Sequence, residues 1–287
     1  MPRRGIDRLT GASVVVTPSR QDRPNLPGQG CPFCPGGLDA PEPYDVRSFE
    51  NRWPALPDGR SEVVLYSPEH EATFWGLGVD GALKVVRLWA ERTATLEARS
   101  DVSYVLIFEN RGPEVGATIT HPHGQIYAFD FVPPAAAREL GSGSDGCVLC
   151  GADPGERLVA GAGGWRAWVP AQTAWPYELR LAPVDHQPDL PSVVGAGTDE
   201  GLAIVLVDVL ERLDRLFDEP MPYMLWAHQR PSDGGEWPNA HVHLHIAPVL
   251  RRPGTMRYVG AGETGSGVYF NPVGADEAAE KLRRAVR

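Results

Sequence analysis

The sequence predicts an α+β protein made of two tandem copies of one unit, each an antiparallel sheet with a helix packed on one face, the pair forming a pseudo-dimer. Three observations predict it. All four cysteines lie in two Cys-x-x-Cys pairs, Cys31/Cys34 and Cys147/Cys150, separated by the same 116 residues (147 − 31 and 150 − 34). A strand-like run ending in His recurs at that shift, Glu62–His70 and Glu178–His186. His121-Pro-His123 returns as His241-Val-His243 at a shift of 120 (241 − 121). Landmarks kept in one order at one spacing are the mark of an internal repeat.

Each unit then reads in order. The Cys-x-x-Cys pairs carry Pro or Gly nearby, residues that turn the backbone so that both sulfurs face one point. The runs ending in His70 and His186 alternate apolar and polar residues as half-buried strands do. Helices follow over about 79–99, with Leu83, Val86 and Leu88, and about 199–217, with Leu202, Val205, Val209, Leu213 and Leu216 at helical spacing. Tyr104–Phe108 and Tyr223–Ala227 read as strands at a shift of 119 (223 − 104), and the His-x-His strands close each unit. Strands with no helix between them favour antiparallel pairing. The units span 1–140 and 146–287, joined by Gly141-Ser-Gly-Ser-Asp-Gly146, whose composition suits a turn or linker.

Composition excludes several classes. Hydrophobic residues are 42% and charged residues 22%, as in globular chains. No apolar run approaches a membrane span, and Met1-Pro-Arg-Arg-Gly5 leads into no apolar segment of a signal peptide, so a cytoplasmic protein is expected. A net charge of −10 argues against nucleic acid as a partner. Cysteine pairs in such a chain read as metal knuckles before disulfides.

Cys31, Cys34, His70 and His121 offer two thiolates and two imidazoles, the ligand set of a closed, structural zinc site. Cys147, Cys150, His186 and His241 offer a second. With His121 on metal, His123 is left as a nucleophile for phosphorus, with Gly124 making room for a phosphate and Gln125 donating to its oxygens. His241-Val-His243-Leu-His245 offers His243 as a rival nucleophile, but Leu244 leaves less room there.

His-Pro-His-Gly-Gln together with Cys-Pro-x-Cys-Pro-Gly resembles the galactose-1-phosphate uridylyltransferase family of the histidine-triad superfamily, and the likeness runs nearly the whole chain. It implies two histidine-triad-like units, the first catalytic. It implies UMP transfer from UDP-glucose to galactose 1-phosphate through a uridylyl-His123, with Gln125 assisting. By the same resemblance Arg20 and Arg23 hold phosphates, Asn51 and Asn110 bind nucleotide, Thr118 contacts phosphate, and related enzymes are homodimers. The family's bacterial members place a second metal on positions matched here by Glu139, His228, His241 and His243, an iron site competing with the cysteine set for His241. The cysteine set is favoured, because symmetry requires it and thiolates out-compete a carboxylate for zinc. The expectation is thus one or two zinc ions per chain, with iron as the alternative at the second site. Two other activities fit the same chemistry: an ADP-sugar or dinucleoside-polyphosphate phosphorylase using His123, and a hydrolase acting through His243.

Overall fold

The computed structural model describes residues 3–22, 30–141 and 146–286. A short hairpin, β1 (Arg3–Ile6) and β2 (Ser13–Val16), precedes β3 (Arg47–Glu50), β4 (Ser61–Leu65), α1 (Gly78–Glu97), β5 (Tyr104–Arg111), β6 (His123–Phe129) and α2 (Pro134–Leu140). The second half runs β7 (Leu158–Ala162), β8 (Trp165–Trp168), β9 (Leu179–Pro183), α3 (Leu190–Gly195), α4 (Asp199–Arg215), β10 (Tyr223–His228) and β11 (His243–Pro248). A second hairpin, β12 (Leu250–Arg252) and β13 (Thr255–Met256), then α5 (Ala261–Ser266) and α6 (Ala275–Arg284), complete it. None of the described helices is long and apolar enough to cross a membrane.

Among the described residues, nine strands form one antiparallel sheet in the order β3-β4-β6-β5-β10-β11-β9-β8-β7. Apart from the added edge strand β7, the order is a palindrome about the β5–β10 seam, as a pseudo-dimer of one four-stranded unit must be. Both long helices cover one face. α1 buries Ala82, Val85, Val86, Trp89, Ala90, Thr93 and Leu96, and α4 buries Leu202, Val205, Leu206, Val209, Leu210 and Leu213. These three- and four-residue spacings give each helix a single apolar stripe, and the stripes share one continuous core with the sheet. Burying a Leu or Val side chain there contributes about 1.5–3 kcal/mol.

Strand alternation assigns the opposite face to function. On β6, Gly124, Ile126 and Ala128 are buried toward the helices, while His123, Gln125 and Tyr127 are half-buried on the other side. Cross-strand pairing runs Val63–Gln125–Phe108–Trp226–His245–Arg180 across six strands, so these residues share one face.

That ladder corrects two shifts. Gln125 and His245 differ by 120, and their partners Phe108 and Trp226 by 118 (226 − 108), so β5 and β10 correspond at 118 rather than 119. Likewise Val63 and Arg180 set β4 against β9 at 117 (180 − 63), not 116. An odd error would put every side chain of a strand on the wrong face. β4 also fails to alternate, being buried throughout, because loops cover the face that the helices leave open.

Candidate functional site

The first cluster forms where the knuckle loop meets β6. Gly37 is required there, since a Cβ would lie 2.7 Å from the carbonyl oxygens of Cys31, Pro32 and Cys34. Cys34 Sγ stands 3.5 Å from His70 Nδ1 and 3.7 Å from His121 Nδ1, and the ligand atoms of Cys31, Cys34, His70 and His121 all lie within 4.8 Å of one another. Zn–S and Zn–N bonds in a tetrahedron put sulfur and nitrogen roughly 3.5 Å apart, so the donor set fits that ion. His121 Nε2 donates to Ser67 O at 2.7 Å and meets Tyr44 Oη at 2.9 Å, which turns the Nδ1 lone pair toward the sulfurs.

The second half repeats this. Cys147 Sγ is 3.3 Å from His241 Nδ1, Cys150 Sγ is 3.2 Å from His186 Nδ1, and His241 Nε2 donates to Pro183 O at 3.1 Å. Burial holds His241 down to about 4, so its imidazole is neutral and able to ligate.

Glu139 sits elsewhere than expected. α2, the last helix of the first half, carries it across to the second, where it meets His228 Nδ1 at 2.5 Å, His243 Nε2 at 3.0 Å and His245 Nε2 at 3.5 Å. Its partners are therefore His228, His243 and His245, with His241 committed to the cysteines. The two sets share no ligand and both can form. The reason is local: β11 begins at His243, so His243 and His245 share the strand's face while His241 lies before it. Burial alone would raise the Glu139 carboxyl, but the three imidazoles hold it well below the usual carboxylate range. Burial pushes His245 down to about 3, and Trp226 stacks on it at 4.7 Å. Three imidazoles and a carboxylate are a donor set for a first-row divalent metal.

Between the first cluster and the β3–β4 turn lies a cavity of about 610 Å³, lined by Asn51, Trp53, Thr118, His123 and Gln125. His123 Nδ1 donates to His121 O at 2.7 Å, which fixes the tautomer with the lone pair on Nε2. Phe33 meets its ring edge-on at 5.0 Å. Gln125 Oε1 accepts from Asn51 Nδ2 at 3.3 Å, and Asn51 Oδ1 accepts from Trp53 N–H at 2.8 Å. Arg20 donates to Tyr127 Oη at 3.0 Å, two residues along the same face of β6. Asn110 lines a second cavity of about 320 Å³ on the other side of His123, with Glu109 at its wall. Arg23 lies outside the described residues.

One expectation changes. The space at Gly124 is filled by Tyr66, whose Oη would be 2.1 Å from a Cβ there, on the face away from His123. No phosphate enters by that route. Separately, Asn271 Nδ2 bonds Thr173 Oγ1 and Trp175 O, fastening the C-terminal segment to the second half. Sequence reasoning missed His245 as a partner of Glu139, although its two-residue spacing from His243 was the available signal. It also missed Tyr44, Phe33 and Trp53, aromatic residues with no spacing signature.

Two family models match the chain: galactose-1-phosphate uridyl transferase, N-terminal domain, over residues 40–133, and its C-terminal domain over residues 149–285. The galactose-1-phosphate uridylyltransferase of Thermotoga maritima is 34% identical, covering 96% of this chain and 96% of its own length. That of Streptomyces lividans is 36% identical over 96% of this chain and 85% of its own. A solved uridylyltransferase structure superposes with a TM-score of 0.90 at 28% identity, covering 99% of this chain and 98% of its own. With both domain models matched and the sheet, knuckles and His-Pro-His strand in place, the chain belongs to the galactose-1-phosphate uridyl transferase family.

Proposed function

We propose that the chain moves UMP from UDP-glucose to galactose 1-phosphate in two steps through His123. The observation that carries this is the fixed tautomer of His123 at the wall of the large cavity. Nε2 attacks the α-phosphorus, a P–N bond forms, and the bond to the β-phosphate oxygen breaks, releasing glucose 1-phosphate. A phosphate oxygen of galactose 1-phosphate then attacks phosphorus and expels His123, giving UDP-galactose. The positive charge on the ring in the intermediate is stabilised by the Nδ1–H bond to His121 O. Gln125, its Oε1 held by Asn51, turns its NH2 to the phosphoryl oxygens. In this reading Thr118, Asn110 and Arg20 bind phosphate and nucleotide. One nucleotide site serves both half-reactions, so the acceptor never needs to meet the donor.

His243 Nδ1 bonds His241 O at 2.8 Å, as His123 does His121 O, but its Nε2 faces Glu139. That supports His123 as the nucleophile and counts against a hydrolase acting through His243. Zinc at Cys31/Cys34/His70/His121 and at Cys147/Cys150/His186/His241 would hold the two knuckles closed, with no open position for a reactant. Iron or zinc at Glu139, His228, His243 and His245 would bind α2 of the unit 1–140 to the unit 146–287. A cytoplasmic location fits cysteine pairs that serve as metal knuckles rather than disulfides. The test is intact-mass spectrometry after mixing with UDP-glucose and, separately, ADP-glucose. A UMP adduct from UDP-glucose is expected; an AMP adduct only would promote the ADP-sugar phosphorylase, and no adduct would sink the two-step reaction.

A further inference from the structure

Beneath the nucleophile strand, on the helix face, lies a buried polar group that the proposed reaction does not use. Tyr66 follows β4, its backbone N–H donating to Pro122 O at 3.2 Å, inside the His-Pro-His turn. Its ring is fully enclosed, edge-on to Phe74 at 5.4 Å and to Trp89 at 5.8 Å. The phenol ends under Gly124: a Cβ on that residue would lie 2.1 Å from Oη, 3.0 Å from Cζ and 3.1 Å from Phe108 O. Gly124 is the residue between His123 and Gln125, which point to the opposite face.

A second buried polar group, Glu109, lies on the same face. Glu109 Oε1 accepts from Tyr223 Oη at 2.7 Å, while Glu109 Oε2 and Tyr66 Oη are both buried without a partner at ordinary hydrogen-bond geometry. The β5–β6 register, with Phe108 opposite Gln125, puts Glu109 beside Gly124 on this same face, so the carboxyl and the phenol both lie under that residue. Buried polar atoms are costly unless satisfied. Their presence directly beneath the reacting strand calls for a role, since a phenylalanine would pack the same ring without a buried hydroxyl.

We propose that Tyr66 is a positioning residue for the nucleophile: its hydroxyl, lodged with Glu109 under Gly124, is the stop that holds His123 and Gln125 at the height required for attack on phosphorus. The proposal rests on the reading of His123 given above. Without the oxygen, a gap opens under Gly124 and β6 is free to settle away from the substrate. Reactions of this kind are sensitive to sub-ångström placement, a 1 Å error costing about a hundredfold.

The experiment is single-turnover formation of the uridylyl adduct from UDP-glucose by wild type, Tyr66→Phe, Gly124→Ala and the double variant, with melting temperatures alongside. Tyr66→Phe is expected to slow the adduct step about tenfold at an unchanged UDP-glucose dependence, a split that mere loss of packing would not give. Gly124→Ala should be slower by about a hundredfold or more, and the double variant faster than Gly124→Ala, because removing Oη removes the closest collision. A Tyr66→Phe rate within twofold of wild type would overturn the proposal, as would a double variant showing both losses in full. If Gly124→Ala does not fold, Tyr66→Phe alone decides. If wild type itself forms no adduct, the nucleophile reading fails, and with it any positioning role.

Discussion

Glu109→Gln should stabilise the protein at pH 8 and do nothing comparable at pH 5. Glu109 is buried in β5, and burial pushes its carboxyl from 4.5 up to about 7, against the opposing pull of Tyr223 and Arg111. In the folded protein it therefore keeps its proton between those values, while the unfolded chain releases it. Stability is fully present below the unfolded value and is lost as pH rises through the folded one. Each unit of difference is about 1.4 kcal/mol, so the gap of roughly 2.5 units sets a ceiling of about 3 kcal/mol, reached near pH 8. Gln has the same shape and never ionises. It can accept from Tyr223 with its oxygen. Urea unfolding of both proteins at pH 5 and pH 8 measures the effect as a pH-dependent difference in unfolding free energy. A difference equal at the two pH values would show that Glu109 does not release its proton in this window, and would refute the reasoning.

Other outcomes follow from the clusters. Metal analysis should give at least two zinc ions per chain, and Cys147 and Cys150 should resist alkylation until a chelator is added. One zinc, with Cys147 alkylated in the native protein, would contradict the second knuckle. His245→Ala should empty the Glu139 centre and leave zinc at Cys147/Cys150 in place, whereas joint loss would mean the two sets are not independent. Arg20→Ala should weaken substrate binding and turnover while shifting stability by about 1 kcal/mol or less, since it removes a single half-buried hydrogen bond to Tyr127. A large loss of stability with unchanged kinetics would assign Arg20 to the fold instead.

Much of the architecture was legible because duplication writes itself into spacing. The Cys pairs, the two helices and the His-x-His strands announced two units, and the palindromic sheet follows from them. Strand register was not legible to the last residue. Tyr104 and Tyr223 look alike, yet the pairing of Phe108 with Gln125 and of Trp226 with His245 sets the correspondence one residue away. Side-chain identity misleads there because hydrogen bonds between strands, not residue type, fix which face a residue takes. The Glu139 cluster was half legible. The carboxylate and two of its histidines were marked, but His241 stood in for His245 because nothing in the sequence says that β11 starts at His243. Tyr66 was invisible as a neighbour of Gly124, being distant in sequence and joined to it only by pairing of β4 with β6. A glycine next to a nucleophile invites a reading toward the ligand, and here its room is taken from the core side.

The central claim is that His123 alone carries the nucleotide, although the chain holds a second histidine in the matching place. The most direct measurement is peptide mapping of the trapped nucleotidyl adduct after UDP-glucose, in wild type, His123→Gly and His243→Ala. The account predicts UMP on the peptide containing His123 in wild type and in His243→Ala, and no adduct in His123→Gly. Nucleotide found on His243, or an adduct surviving in His123→Gly, would contradict it.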